Sequence, residues 1–279
     1  MSDQPFLHPD QINALSSRQA DCRSSYGSDL LQFGDLRLPV GPGPHPVAVV
    51  IHGGCWITAF ADLQNTAALA DALRDCGVAT WNIEYRRADY PGGGWPGTFF
   101  DVANATDHLR SLAAEYPLDL SHIVAMGHSA GGHLALWAAC RHSLKSDSPI
   151  WTPDPLPIKG VVVLGGPGDL ARFAAYAPSV CDSQVVGLLM GGLPLTVPDR
   201  YRDASPIERL PVGVQQIFIT GEYDWVVPPE FGNAYTAAAK AAGDQAEHVL
   251  VRGAGHHEYN APQSVAWPAV LSAVTTLLA

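Results

Sequence analysis

Short runs of β-branched and other apolar residues recur along this chain, and most are continuous rather than alternating. They lie at Pro46–His52, Val78–Ile83, His122–Gly127, Gly160–Leu164, Gln215–Thr220 and Glu247–Val251. A strand covered on both faces has no polar side, so such runs predict buried strands of a mostly parallel sheet. Asp29–Leu38 alternates more loosely and predicts an outer antiparallel strand. Between the runs the period lengthens. Asp62–Cys76 sets Leu63, Ala67, Ala70 and Leu73 on one face and stops at Gly77, the pattern of an amphipathic helix. Thr98–Glu115, Ala130–His142, Glu230–Ala242 and Pro268–Leu278 predict further helices, with Pro268 in a first turn that tolerates proline.

The β-α-β-α order argues for an α/β domain spanning 1–279, a mostly parallel central sheet flanked by helices. Two stretches break the alternation: His142–Pro157, and the long gap Gly168–Pro211. Both read as insertions above the sheet edge, with 168–211 as a small cap. The N-terminal segment 1–25 is expected to place a short helix, Pro9–Ala20, against the same edge.

Composition narrows the function classes. Of 279 residues, 47% are hydrophobic and 15% charged, which excludes a disordered chain and allows a large core. Lys and Arg number 16 against 27 Asp and Glu, a net charge of −11. Such an anion has no general attraction for phosphate backbones or anionic lipid, so neither nucleic acid nor membrane is an expected partner. The five cysteines, Cys22, Cys55, Cys76, Cys140 and Cys181, are odd in number and widely spaced, with no CxxC pair. That pattern predicts neither a disulfide framework nor a zinc knuckle, and favours a reducing, cytoplasmic location. The first residues lack a basic and then apolar leader, and no apolar run approaches the roughly 18 residues of a membrane span.

The candidate chemistry centres on Gly127-His128-Ser129-Ala130-Gly131, a GxSxG pattern between an apolar strand and an Ala-rich helix. A serine on so sharp a turn sits in strained backbone, and only small residues two positions away let the neighbouring chain pass. A hydroxyl also needs a base, and the developing oxyanion needs donors. His52-Gly53-Gly54-Cys55-Trp56 follows another buried strand, so the N–H of Gly54 or Cys55, with that of Ala130, is the expected oxyanion hole. His52 is expected to brace that loop. Asp224, just past the Gln215–Thr220 strand, is the expected orienting acid. Asp169 is its rival and reads better as a helix N-cap, while Glu84 reads as a partner of Arg86 or Arg87. His256, directly after Gly255, is the expected base, with His257 as runner-up. The order Ser129, Asp224, His256 suits one kind of serine-hydrolase fold and not the others. Trp56, Tyr85, Trp95 and Trp225 are the substrate-binding candidates, with Phe99 and Trp151 behind them.

The segments HGGCW, NIEYRR, GHSAGGH, DASP, GEYDWVVPP and GAGHHE, in that order, resemble esterases of the α/β-hydrolase superfamily, in its kynurenine-formamidase and carboxylesterase-like group. The resemblance covers roughly residues 29–279. It implies an α/β-hydrolase fold, no cofactor, and hydrolysis of a carboxylic ester or activated amide. The HGGxW loop resembles the formamidase-type variant; Cys55 at its x position departs from the pattern and bears on pocket shape. The expectation is a serine hydrolase that cleaves a small-molecule carboxylic ester through an acyl-serine. The alternative is an amidase of the arylformamidase type; an acyltransferase or a non-catalytic binding protein on the same fold is more distant. Oligomeric state stays open, a homodimer included. Two other readings are weaker. Gly92–Gly97 formally matches GxGxxG, but Trp95 and Pro96 sit inside the turn, against a dinucleotide site. His128, His133, His256 and His257 lack metal-ligand spacing, so no metal is expected.

Overall fold

The computed structural model describes residues 6–181 and 184–279. The strands are β1 (Cys22–Ser25), β2 (Phe33–Arg37), β3 (His45–Ile51), β4 (Ala79–Ile83), β5 (Leu118–His128), β6 (Gly160–Leu164), β7 (Gln215–Gly221) and β8 (Ala246–Val251). The helices are α1 (Pro9–Asn13), α2 (Ala67–Asp75), α3 (Gly97–Asp107), α4 (Leu109–Leu112), α5 (Ala130–Cys140), α6 (Leu170–Tyr176), α7 (Val185–Met190), α8 (Pro198–Ala204), α9 (Pro229–Ala241) and α10 (Trp267–Leu278).

Eight strands form one sheet in the order β1-β2-β4-β3-β5-β6-β7-β8. β2 is antiparallel to both neighbours, and all pairs from β4 to β8 are parallel. The continuous apolar runs are explained by two cores. Val47, Val49 and Ile51 of β3 face one core, while Ala48 and Val50 face the other. Val161 and Val163 of β6 divide from Val162 and Leu164 in the same way. Period-two alternation persists, but both faces are buried, so it leaves no polar trace in the sequence. α5 is buried at every position, which explains why it is apolar all round.

Several elements differ from expectation. The outer strand is shorter, Phe33–Arg37 rather than Asp29–Leu38, and the edge strand β1 beyond it has only four residues. The helix expected over Thr98–Glu115 is divided at His108 into α3 and α4. The N-terminal helix ends at Asn13, well before Ala20. The gap 168–211 contains the short helices α6, α7 and α8.

The cysteine expectation is corrected outright. Cys55 and Cys181 form a disulfide across 126 residues of sequence. Pairing of this kind depends on where two Cα atoms meet in the fold, here 6.2 Å apart, and sequence spacing carries no trace of it. The inference of a reducing compartment from unpaired cysteines therefore loses its basis. No helix among the described residues is long and apolar enough to cross a membrane.

Candidate active site

The parallel register brings the two glycine-bearing loops together. Ile51, the last residue of β3, pairs with Gly127 of β5, so the chain leaves both strands at one sheet edge. Ser129 then stands between β5 and α5 with φ 54° and ψ −120°. That positive φ is a strained conformation for any residue but glycine, and it lifts the serine above the sheet edge. The turn closes only because its neighbours lack side chains. A Cβ on Gly131 would lie 2.1 Å from the Ile51 carbonyl oxygen, and one on Gly127 would lie 2.2 Å from that of Gly131.

Asp224 and His256 arrive from the ends of β7 and β8. His256 Nδ1 lies 2.9 and 2.8 Å from the two carboxylate oxygens of Asp224. The carboxylate is fully buried and accepts three more bonds. The N–H groups of Val226 and Val227 donate to Oδ1 at 3.0 and 2.8 Å, and the Tyr259 hydroxyl donates to Oδ2 at 2.9 Å. Burying an ion without such partners would be prohibitive. With Nδ1–H held by Asp224, the other ring nitrogen of His256 is left to accept a proton.

Ser129, His256, Gly54 and Cys55 line one cavity of about 250 Å³. The N–H groups of Gly54, Cys55 and Ala130 have no backbone acceptor among the described residues, which leaves them free to meet a substrate oxygen. Cys55 and Trp56 both have positive φ, 50° and 57°. Two such consecutive residues cost on the order of 1–3 kcal/mol each, strain of a kind that gathers at functional sites.

His52 sits beneath this loop. Its Nε2 meets the Glu84 carboxylate at 2.9 Å, and Tyr85 stacks on its ring with centroids 4.4 Å apart. Burial pushes Glu84 up, but His52 and Arg87 outweigh it and hold the carboxyl at about 2. Asp169 caps α6 by accepting from the Arg172 N–H, and Arg86 pairs with Asp101 rather than Glu84. His257 borders the cavity and makes no hydrogen bond to Asp224; burial, then the nearby His256, lowers it to about 3.

Of the aromatic candidates, only Trp225 borders the cavity, where it is 63% exposed. Trp56, Tyr85 and Trp95 do not. Trp56 is buried between His133 and Phe173, with centroids 5.5 and 6.2 Å away. Tyr85 is spent on bracing the loop: its hydroxyl donates to the His52 carbonyl at 3.1 Å. Trp95 packs edge-on against Phe99, which is itself core, and Trp151 is likewise away from the cavity. An aromatic next to a site loop in sequence is as free to turn inward as outward, and apolar burial decides. The glycines at 92–97 pack on the protein itself, since a Cβ on Gly97 would fall 1.7 Å from the Gly92 carbonyl oxygen.

Sequence reasoning missed three contributors. Tyr259 holds Asp224. His128 Nε2–H donates to the His256 carbonyl at 2.8 Å, and burial keeps that ring well below its usual range and therefore neutral. Glu258, also buried, accepts from the N–H of Gly255 and of Leu7, at 2.9 and 2.8 Å. It thereby ties the histidine loop to the N-terminal segment, whose His8 and Pro9 line the cavity. Their only sequence signal was their place in or beside segments already singled out.

This sheet order, with a serine on a strand-to-helix turn and a buried Asp–His pair beside it, defines an α/β-hydrolase. Residues 35–238 match the BD-FAE family, and the chain belongs to it. It is 28% identical over 252 residues to Esterase LipC of Mycobacterium tuberculosis, covering 84% of this chain and 59% of the relative. It is 27% identical over 255 residues to isoprenylcysteine alpha-carbonyl methylesterase of Arabidopsis thaliana, covering 86% of this chain and 57% of the relative. The chain thus spans little more than half the length of these curated relatives. Among solved structures, a truncated form of a carbohydrate esterase from gut microbiota superposes with a TM-score of 0.76 at 25% identity, covering 91% of this chain and 94% of that one.

Proposed function

We propose that this protein hydrolyses carboxylic esters through an acyl-serine intermediate. Ser129 Oγ attacks the acyl carbon while His256 takes its proton. Asp224 holds the imidazole in the required tautomer and stabilises the imidazolium that forms. The negative charge of the tetrahedral intermediate rests on the N–H of Ala130 and of Cys55 or Gly54. The alkoxide leaves with the proton from His256, and the same ring then activates water to release the acid. The observation that carries this reading is the strained Ser129 turn opening on the same cavity as the Asp224–His256 pair. The relatives' names, esterase and methylesterase, agree with an ester rather than an amide as substrate.

Reaction with a fluorophosphonate and mass-spectrometric mapping tests it. The expected adduct is on Ser129 and absent from the Ser129→Ala variant. An adduct at any other residue, or none on the folded protein, would overturn the assignment. Rates on p-nitrophenyl esters of graded chain length, compared with N-formylkynurenine, separate ester from amide chemistry.

A further inference from the structure

One wall of the cavity is covalent. Cys55 stands in the left-handed region at the oxyanion loop, and neither its N–H nor its carbonyl meets another backbone group among the described residues. Its neighbours are anchored by ordinary means: Ile57 N–H donates to the Gly54 carbonyl at 2.8 Å, and Ala88 N–H to that of Trp56 at 2.8 Å. Cys55 itself is anchored through sulfur, to Cys181. Cys181 follows the short turn Ala177–Ser179, donates its N–H to the Ala177 carbonyl at 2.8 Å and is buried. Val180, beside it, lines the same cavity as Cys55 and Ser129. The bond therefore joins the loop bearing an oxyanion donor to the inserted segment that limits the space beside the serine.

We propose that the Cys55–Cys181 disulfide is a positioning and specificity element of the ester-hydrolysing site. It fixes the Cys55 N–H where the oxyanion forms and holds Val180 against the acyl cavity. The inference rests on the hydrolase reading given above. The cavity, at about 250 Å³, suits a short acyl group; pockets for drug-sized ligands run from roughly 300 to 1,000 Å³. Cys55 is partly exposed and lines the cavity, the side from which a small dithiol approaches the bond. The dithiol's thiolate attacks one cysteine sulfur and breaks the protein S–S bond to give a mixed disulfide. Its second thiol then closes a cyclic disulfide. Two electrons and two protons pass to the protein, which ends with two thiols. The released loop no longer holds its donor, and the released segment no longer limits the cavity.

The test compares oxidised protein, protein reduced with dithiothreitol and desalted under anaerobic conditions, and the Cys181→Ser variant. Rates are taken on p-nitrophenyl acetate and octanoate and normalised to the sites titrated by a fluorophosphonate. Reduction is expected to lower kcat on acetate about tenfold with little change in KM, as for a displaced oxyanion donor. The octanoate-to-acetate ratio of kcat/KM should rise about fivefold as the wall relaxes. Cys181→Ser should show both changes without reductant and not respond to it. A merely structural bond would lower the fraction of titratable sites while leaving kcat per site and the ratio unmoved, and that result overturns the proposal. So does the finding, by thiol counting on the unreduced protein, that both cysteines are free. Should Cys181→Ser fail to fold, the reduced wild-type protein gives the same two readouts. No ester turnover and no Ser129 adduct in the oxidised protein overturns the hydrolase reading and this one together, whereas equal per-site kinetics in all three samples overturns only this one.

Discussion

Around one cavity, the proposed acid–base side and the proposed oxyanion side are held by different means. Asp224 is fixed by four donors drawn from two segments: the N–H groups of Val226 and Val227 after β7, and His256 and the Tyr259 hydroxyl after β8. The proposed oxyanion loop has two consecutive residues with positive φ, Cys55 and Trp56, and a disulfide at Cys55. The first arrangement spreads its hold over several hydrogen bonds to a charged acceptor, each worth roughly 1.5–3 kcal/mol net, so losing one leaves the geometry defined. The second concentrates strain and restraint at one position. The comparison teaches that one cavity can be held redundantly on one side and at a single position on the other.

The largest expected effect bounds both sides at once. Ser129→Ala should lower kcat by roughly 10⁴–10⁶, measured as initial ester hydrolysis by folded protein. Next comes the acid–base side taken as a whole: Asp224→Asn should cost about 10⁴ in kcat, because an amide stabilises the wrong tautomer of His256. A loss under tenfold would mean that His256 is oriented by something other than this carboxylate. Redundancy is then tested by Tyr259→Phe, which removes one donor of four. Its expected cost is about tenfold or less in kcat, with KM little changed. A loss approaching that of Asp224→Asn would break the contrast between a distributed and a concentrated hold.

The smallest effect concerns stability rather than rate. His133, whose Nε2–H donates to the Ala204 carbonyl, is lowered by burial to about 4, and His257 to about 3. In the unfolded chain such rings titrate near about 6.5, so the unfolded state binds protons the native state does not. Native stability should therefore be full above that pH and decline as pH falls from about 6.5 toward 4. His133 alone contributes on the order of 3 kcal/mol at the acid end. Melting temperatures across this range should fall in the wild type and fall less steeply in His133→Gln, whose amide can still donate to Ala204. Parallel slopes for the two proteins would show that His133 is not held neutral.

Strand positions were the most legible feature, because continuous apolar runs such as Val161–Leu164 have few other uses. Helices read less well where tertiary packing overrode local pattern: nothing in Thr98–Glu115 announces the division at His108. Site residues were legible where chemistry demands a backbone peculiarity. Gly127, Gly131 and Gly53 surround Ser129 because backbone must pass within contact distance, and that need is written as glycine. Tyr259 and Glu258 were not legible in this way, since a tyrosine or a glutamate has many ordinary places on a surface. The aromatic candidates divided for the same reason: Trp225 points outward and Trp56 inward, and sequence adjacency to a loop does not tell the two apart.

By its order of strands, helices and glycine-flanked turns, the amino-acid sequence alone determined a doubly covered, mostly parallel sheet with a serine at the mouth of one strand. Those features follow from local rules, apolar period and steric room, that act within a few residues. Only the tertiary structure decided that Cys55 meets Cys181, that Tyr259 joins the nearby backbone N–H groups in holding Asp224, and that the N-terminal His8 and Pro9 line the cavity. Such meetings join residues far apart along the chain, and they are settled by where whole elements pack, a property no short stretch of sequence contains.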